Sequence, residues 1–234
     1  MLRKLPKENM GTSNLGWLES RFHFSFAEYR NPNNMNFGVL RVLNDDIIHA
    51  NSGFDTHPHS NMEIISYIVK GEITHKDSMG NAETLKSGEV QYLSAGDGIF
   101  HSEHNLHKSE DLRLLQMWIV PPKKSLARLY GSKKYVNEEK RNKLLNIVSS
   151  QEGNSEIKIY QDVNIYVSQL DELKVLDFDI SKNRQVYFVQ IEGKSQINEL
   201  VLEYGDACEI TEESKINIKA LTSSHFLFID MPQV

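Results

Sequence analysis

Thr56-His57-Pro58-His59 and, further along, Gly98-Ile99-Phe100-His101-Ser102-Glu103 are the stretches on which the reading of this chain turns. In an extended strand, alternate side chains share a face. His57 and His59 therefore point one way, and His101 and Glu103 do the same. If the two strands lie side by side, three imidazoles and one carboxylate meet around one point. That donor set suits Fe, Mn, Co, Ni, Cu or Zn rather than Ca or Mg.

Strand signals dominate outward from these triplets. Short apolar or alternating runs are broken by Gly, Asn and Asp. The first half offers Phe37 to Leu43, Met62 to Val69, Ile73 to Lys76, Val90 to Leu93, Ile99 to Glu103 and Leu112 to Val120. Gly80-Asn81 reads as a hairpin bend. Pro121-Pro122 closes this block. The basic stretch from Lys123 to Lys143 then carries Leu126, Leu129 and Tyr130 at helical spacing, and Glu138 to Leu145 reads as a turn or two of helix. A second strand series begins near Ile157 and runs to Met231. Lys70-Gly71-Glu72 resembles Glu192-Gly193-Lys194, and Ser87-Gly88-Glu89-Val90 resembles Tyr204-Gly205-Asp206-Ala207, so a duplicated barrel is expected. The expected division is an N-terminal metal-binding barrel over 1–122, a short helical connector over 123–155 and a C-terminal degenerate barrel over 156–234. The second copy has no His-x-His and only His225, which assigns any metal to the first.

The chain has 234 residues, 39% hydrophobic and 25% charged, enough for one large β domain or two small ones. A net charge of -6 gives no footprint for direct nucleic-acid binding. The single cysteine, Cys208, rules out a disulfide framework and reads as a half-buried strand thiol. No apolar run follows the N-terminus and no window approaches a membrane span, so a cytoplasmic protein is expected.

Gly53, His57-x-His59, Glu63 and Gly71, followed by Gly88 and Gly98-x-x-His101-x-x-x-Asn105, resemble the two cupin motifs. Gly53 stands closer to His57 than cupins commonly have it, and the proline of the second motif is absent. These departures point to a narrower family. Phe24-Ser25-Phe26, Phe37-Gly38-Val39-Leu40-Arg41-Val42-Leu43-Asn44-Asp45-Asp46, Thr56-His57-Pro58-His59, Met62-Glu63-Ile64-Ile65-Ser66-Tyr67, His75-Lys76-Asp77-Ser78-Met79-Gly80-Asn81 and Gly98-Ile99-Phe100-His101-Ser102-Glu103 all resemble the pirin family. Leu115-Gln116-Met117-Trp118-Ile119 extends the likeness, which covers about residues 17 to 121. The second half resembles the bacterial pirin-like C-terminal barrel more weakly.

The resemblance implies an all-β bicupin: two antiparallel β-barrels of the double-stranded β-helix type, joined by a short helical connector. It implies one divalent transition metal, Fe(II) first, with Cu, Ni, Mn, Co or Zn as alternatives, held by His57, His59, His101 and Glu103. Glu63 is then placed behind the ligands, accepting a ring N–H from one of them. His104 and His107 read as surface residues and His75 as structural. Phe24, Phe26, Phe54 and Met62 are candidates for an apolar mouth, with core packing equally open for each.

The implied activity resembles quercetin 2,3-dioxygenase. It would open a flavonol ring with O2 and release carbon monoxide, with Glu103 as general base on the substrate hydroxyl. A redox-sensing regulator acting through a protein partner, and a cupin isomerase or lyase on a small metabolite, are the alternatives. Fold resemblance does not choose among them. The expected partners are a flavonol-like small molecule and O2, with no nucleic acid and no membrane. Two packed barrels suffice as a monomer.

Overall fold

The computed structural model describes residues 1–233, and they form two compact units built to one plan. The N-terminal unit holds Gly11–Tyr135 together with Ile159–Gln161. Its large sheet has seven strands in the order Leu129–Lys134, Glu89–Ser94, Glu63–Lys70, Leu112–Ile119, Leu40–Ile48, Leu18–Phe22 and Gly11–Asn14. Its small sheet has four, in the order Ser52–His59, Ile99–Asn105, Glu72–Asp77 and Ala82–Lys86. Each strand of these two sheets pairs antiparallel with its neighbours.

The C-terminal unit repeats the plan. Its seven-stranded sheet runs Leu2–Leu5, Ala207–Ile210, Arg184–Glu192, Ser224–Pro232, Asn164–Leu170, Leu145–Ser150 and Lys158–Ile159. Its four-stranded sheet runs Val175–Asp179, Lys215–Ala220, Lys194–Ile197 and Leu200–Glu203. The expected duplication is present, strand for strand. Each unit consists of two sheets rather than one sheet closed into a barrel, so the expected bicupin fold stands without full closure.

Alternation decides the interior of each unit. In the N-terminal large sheet, the register aligns Phe22, Asn44, Gln116, Ser66 and Gln91 as one row across five strands. The corresponding row of the C-terminal unit is Tyr166, Phe228, Phe188 and Cys208. Aromatic stacking fills that second interior: Phe188 lies 5.0 Å from Phe226, and Phe228 lies 5.0 Å from Tyr166. Fully burying each such ring is worth about 1.5–3 kcal/mol. One interior is polar enough to hold a ligand; the other is a packed core. Cys208 is fully buried within it, not half-buried as expected, and burial pushes its thiol up to about 12. That thiol is chemically inert near neutral pH.

The division of the chain differs from the expected 1–122, 123–155 and 156–234. Met1–Met10 belongs with the C-terminal unit, because Leu2–Leu5 pairs with Ala207–Ile210 and Lys4 Nζ lies 2.7 Å from Asp206. The connector is largely strand. Leu129–Lys134 pairs with Glu89–Ser94, and Leu145–Ser150 pairs with Asn164–Leu170. The helical spacing of Leu126, Leu129 and Tyr130 loses to an open strand edge, whose unpaired backbone groups supply partners for a whole strand. Among the described residues only Asn137–Lys140 is α-helical, a single turn. Among the described residues, no helix is long and apolar enough to cross a membrane.

Candidate metal centre

Antiparallel pairing sets His101 opposite His57, so the two strands lie side by side as the convergence needs. The ring centroids of His57 and His101 lie 4.5 Å apart, those of His59 and His101 4.8 Å, and those of His57 and His59 4.9 Å. One nitrogen from each ring lies within 4.8 Å of the other two. Between His101 and Glu103 the register shifts, so that Glu103 faces Phe54. The extra residue in the Ser52–His59 strand is a β-bulge. It turns Phe54 inward beside His57, where strict alternation would have pointed Asp55. Gly53 lies inside this strand. A Cβ there would come within 2.4 Å of the Glu103 carbonyl oxygen, so only glycine allows the two strands to approach at this point.

Glu103 is brought to the site, but in a second grouping. Its carboxylate lies within 4.8 Å of donor atoms of His101 and His75. Two amides grip it: Gln91 Nε2 donates to Oε1 at 3.1 Å and Gln116 Nε2 to Oε2 at 2.8 Å. Trp118 Nε1 donates to Gln116 Oε1 at 3.2 Å, which turns the Gln116 NH2 toward Glu103. The polar row of the large sheet thus holds the carboxylate of the small one.

His57 Nδ1 lies 2.7 Å from the Asp55 carbonyl oxygen, which can only accept. In the neutral ring that nitrogen carries the proton and Nε2 keeps its lone pair. His59 is lowered to about 4, chiefly by burial and then by His101 and His57. His101 is lowered to about 3, again chiefly by burial, then by His57 and His75. Both rings are neutral near pH 7, the form that ligates. Both ring nitrogens of His101 are buried without a hydrogen-bond partner. Three converging imidazoles, two of them held neutral, with both His101 nitrogens unsatisfied, fit a transition metal.

The sequence makes His75 a structural residue, and the fold adds a second aspect. It lies within the Glu72–Asp77 strand, fully buried, 5.4 Å from the His101 ring. Its Nε2 donates to Asp77 Oδ2 at 3.2 Å, and its ring stacks on Tyr130 at 4.7 Å. The overlooked signal was the alternation Ile73, His75, Asp77. His104 faces away as expected and meets Asp55 at 3.3 Å. His107 accepts the Glu110 amide at 2.9 Å within its own turn.

Glu63 is placed differently from expectation. Ile64 and Ser66 face the interior, so Glu63 faces the other side of its strand. There it accepts Tyr92 Oη at 2.7 Å, the Tyr160 amide at 2.7 Å and the Gln161 amide at 2.9 Å. It touches no histidine in these contacts and instead ties Ile159–Gln161 into the unit. Glu63→Ala would leave one buried and two part-buried donors unpaired and is expected to cost about 3 kcal/mol. Urea unfolding reads this, and a loss below about 1 kcal/mol would sink the assignment.

A cavity of about 230 Å³ opens onto His57, His59 and Glu103. Leu15, Leu18, Phe22, Phe26, Phe54 and Trp118 form its apolar wall. Of the four expected mouth residues, Phe26 and Phe54 line it. Phe24 is buried at 1% exposure and is absent from the lining, while Met62 packs against Ile64, Leu93, Ala95 and Ile99. Ser20, Asn44 and Asp46 add a polar patch to the same cavity.

Asp46 is pushed up to about 7, first by burial and also by Asp45 and Glu103, against a Ser20 hydrogen bond that lowers it. The folded value lies above the ordinary carboxyl value, so the folded state holds this proton more tightly than the unfolded one. That stability is complete below about pH 4 and is lost as pH rises through about 7. Asp46→Asn is therefore expected to stabilise the metal-free protein by about 3 kcal/mol at pH 8.5 and by little at pH 4.5. Unfolding at the two pH values decides it; an equal gain at both removes the linkage.

The Pirin family model matches residues 4–119, and the model for the quercetinase C-terminal cupin domain matches residues 146–231. The chain is 39% identical over 226 residues to a quercetin 2,3-dioxygenase of Escherichia coli strain K12, covering 96% of each. It is 37% identical over 231 residues to a pirin-like protein of Caulobacter vibrioides, covering 98% of this chain and 99% of that one. Its structure resembles the crystal structure of the bacterial pirin YhhW from Escherichia coli in complex with nickel(II), at a TM-score of 0.95 and 36% identity over all of both chains. A buried histidine–glutamate group in the first of two cupin units, and relatives matched from end to end, agree on one assignment: the chain belongs to the pirin family.

Proposed function

We propose that this protein is a metal-dependent dioxygenase of the quercetin 2,3-dioxygenase type, which opens a flavonol ring with O2. The observation that carries the reading is the convergence of three imidazoles, two of them held neutral by burial, at an apolar cavity beside a carboxylate fixed by two amides. The names of the relatives support the substrate class. His57, His59, His101 and Glu103 hold one divalent ion in this reading, Fe(II) first, with Cu, Ni, Mn, Co or Zn able to replace it. When bound, the ion supplies Lewis acidity toward the substrate hydroxyl and a redox-active centre for O2.

The chain's own residues supply the rest. Phe26, Phe54 and Trp118 offer flat apolar surface to an aromatic substrate and exclude water. Glu103 is the general base that takes the proton of the substrate hydroxyl. Gln91 and Gln116 keep its carboxylate aimed, so no reorientation is needed at the moment of transfer. Among the described residues the second unit holds no such group, and its interior row is Tyr166, Phe228, Phe188 and Cys208. The reaction belongs to the first unit alone.

The test is to load purified protein separately with Fe(II), Cu(II), Ni(II) and Mn(II). Loss of flavonol absorbance is then followed together with oxygen uptake. Turnover with at least one metal is expected, and none with any would remove the dioxygenase reading.

A further inference from the structure

Within the N-terminal unit, Asn44 and Asp46 sit two residues apart on the Leu40–Ile48 strand and face the same way into the cavity. Both are nearly inaccessible, at 3% and 4% exposure. Among the described residues, Asn44 Oδ1 and Asp46 Oδ1 are buried with no hydrogen-bond partner. Ser20, on the adjacent strand opposite Asp46, is that carboxyl's one side-chain hydrogen-bond partner. The other groups acting on Asp46 are Asp45 and Glu103, and no cation is among them.

Buried acceptors without donors are costly, and native proteins seldom keep two side by side without use. Leu18, Phe22 and Phe26 on the same wall carry no side-chain donor, and the nearby amide and indole donors are already engaged, Gln116 Nε2 with Glu103 and Trp118 Nε1 with Gln116 Oε1. A donor has to arrive from the cavity itself. The two positions lie about 7 Å apart along the strand, one above the other on one wall. They face a slot lined by aromatic rings. A rigid aromatic ligand that carries hydroxyl groups on a ring away from its metal-binding oxygens meets every one of these features.

We infer that Asn44 and Asp46, with Ser20 behind them, form a hydroxyl-recognition subsite that selects ring-hydroxylated aromatic substrates over bare ones. This rests on the flavonol reading above and adds to it which flavonols the site prefers. A site built to accept hydrogen bonds rejects an analogue that lacks the hydroxyls, because its own acceptors then stay unpaired inside the complex. The apolar wall alone would bind both equally well.

The experiment measures binding to protein loaded with Zn(II), which has no redox chemistry, so that no ligand is consumed. The probes are 3-hydroxyflavone, 3,3′,4′-trihydroxyflavone and 3,5,7-trihydroxyflavone, which share the metal-binding oxygens and differ in ring hydroxyls. At least one trihydroxyflavone is expected to bind about 10- to 100-fold more tightly than 3-hydroxyflavone. Asn44→Leu and Asp46→Leu, made separately, are each expected to cut that ratio at least several-fold, with Zn(II) content and thermal unfolding reporting that the variants are folded. Equal binding of all three probes by the wild type overturns the subsite and leaves the flavonol reading standing. A preference that survives in both folded variants overturns the subsite as well. Binding of none of the probes overturns the flavonol reading, and the subsite falls with it.

Discussion

Replacing His101 by alanine is expected to give a folded protein that holds no metal and turns over no substrate. His101 is the inner ring of the three, at 1% exposure, and sits 4.5 Å from His57 and 4.8 Å from His59. Removing it costs packing but also removes two buried polar nitrogens that have no hydrogen-bond partner. The first effect destabilises and the second relieves a penalty, so the net loss of stability is modest. The effect on the metal is not modest. Loss of a group that merely orients a ligand already costs about 10- to 100-fold in affinity or activity, and loss of a ligand costs more. Metal content after dialysis and turnover by the reloaded variant are the two readouts. Stoichiometric metal in a folded His101→Ala protein would sink the assignment of this ring.

The same chemistry sets an acid limit. Ligation requires neutral imidazole, and protons compete for the same lone pairs. His59 and His101 are lowered to about 4 and about 3, so they stay neutral well below the pH at which a free imidazole is protonated. Proton competition at these two rings grows only as pH falls toward those values.

Glu103→Gln carries the second large effect. Turnover is expected to fall about 10²- to 10⁴-fold, the usual contribution of a positioned general base. The replacement keeps the volume and loses the basic oxygen. It also meets two amide donors, Gln91 Nε2 and Gln116 Nε2, with one acceptor in place of two. One contact must break, and the new side chain is less firmly held than the carboxylate was. Metal content measured beside kcat separates loss of the base from loss of a ligand. A variant that keeps both its metal and its full kcat would remove Glu103 from the role of base.

Much of this centre is legible in the chain itself. His57, His59, His101 and Glu103 stand at spacings that the two-residue period of a strand turns into convergence. The duplication is legible too, in paired glycine turns that recur in both halves. Less visible is anything that depends on which strand lies beside which. Gln91, Gln116 and Ser66 are unremarkable in sequence and become one row only through the register of three neighbouring strands. His75 enters the centre because Glu72–Asp77 pairs with Ile99–Asn105 and sets His75 opposite Glu103. Glu63 fits a cupin motif by position, yet the parity of its strand turns it to the other face. Leu126, Leu129 and Tyr130 follow a helical spacing, yet an open sheet edge makes Leu129–Lys134 a strand.

Local order in the chain, then, determined the strand-rich fold class and the facing of His57 with His59 and of His101 with Glu103, because strand periodicity is a short-range property written into successive residues. The bulge that turns Phe54 inward, the amides that hold Glu103 and the paired acceptors at Asn44 and Asp46 were decided only in three dimensions. Each depends on register between segments far apart in sequence, and register is set by the packing of the whole unit rather than by any one stretch.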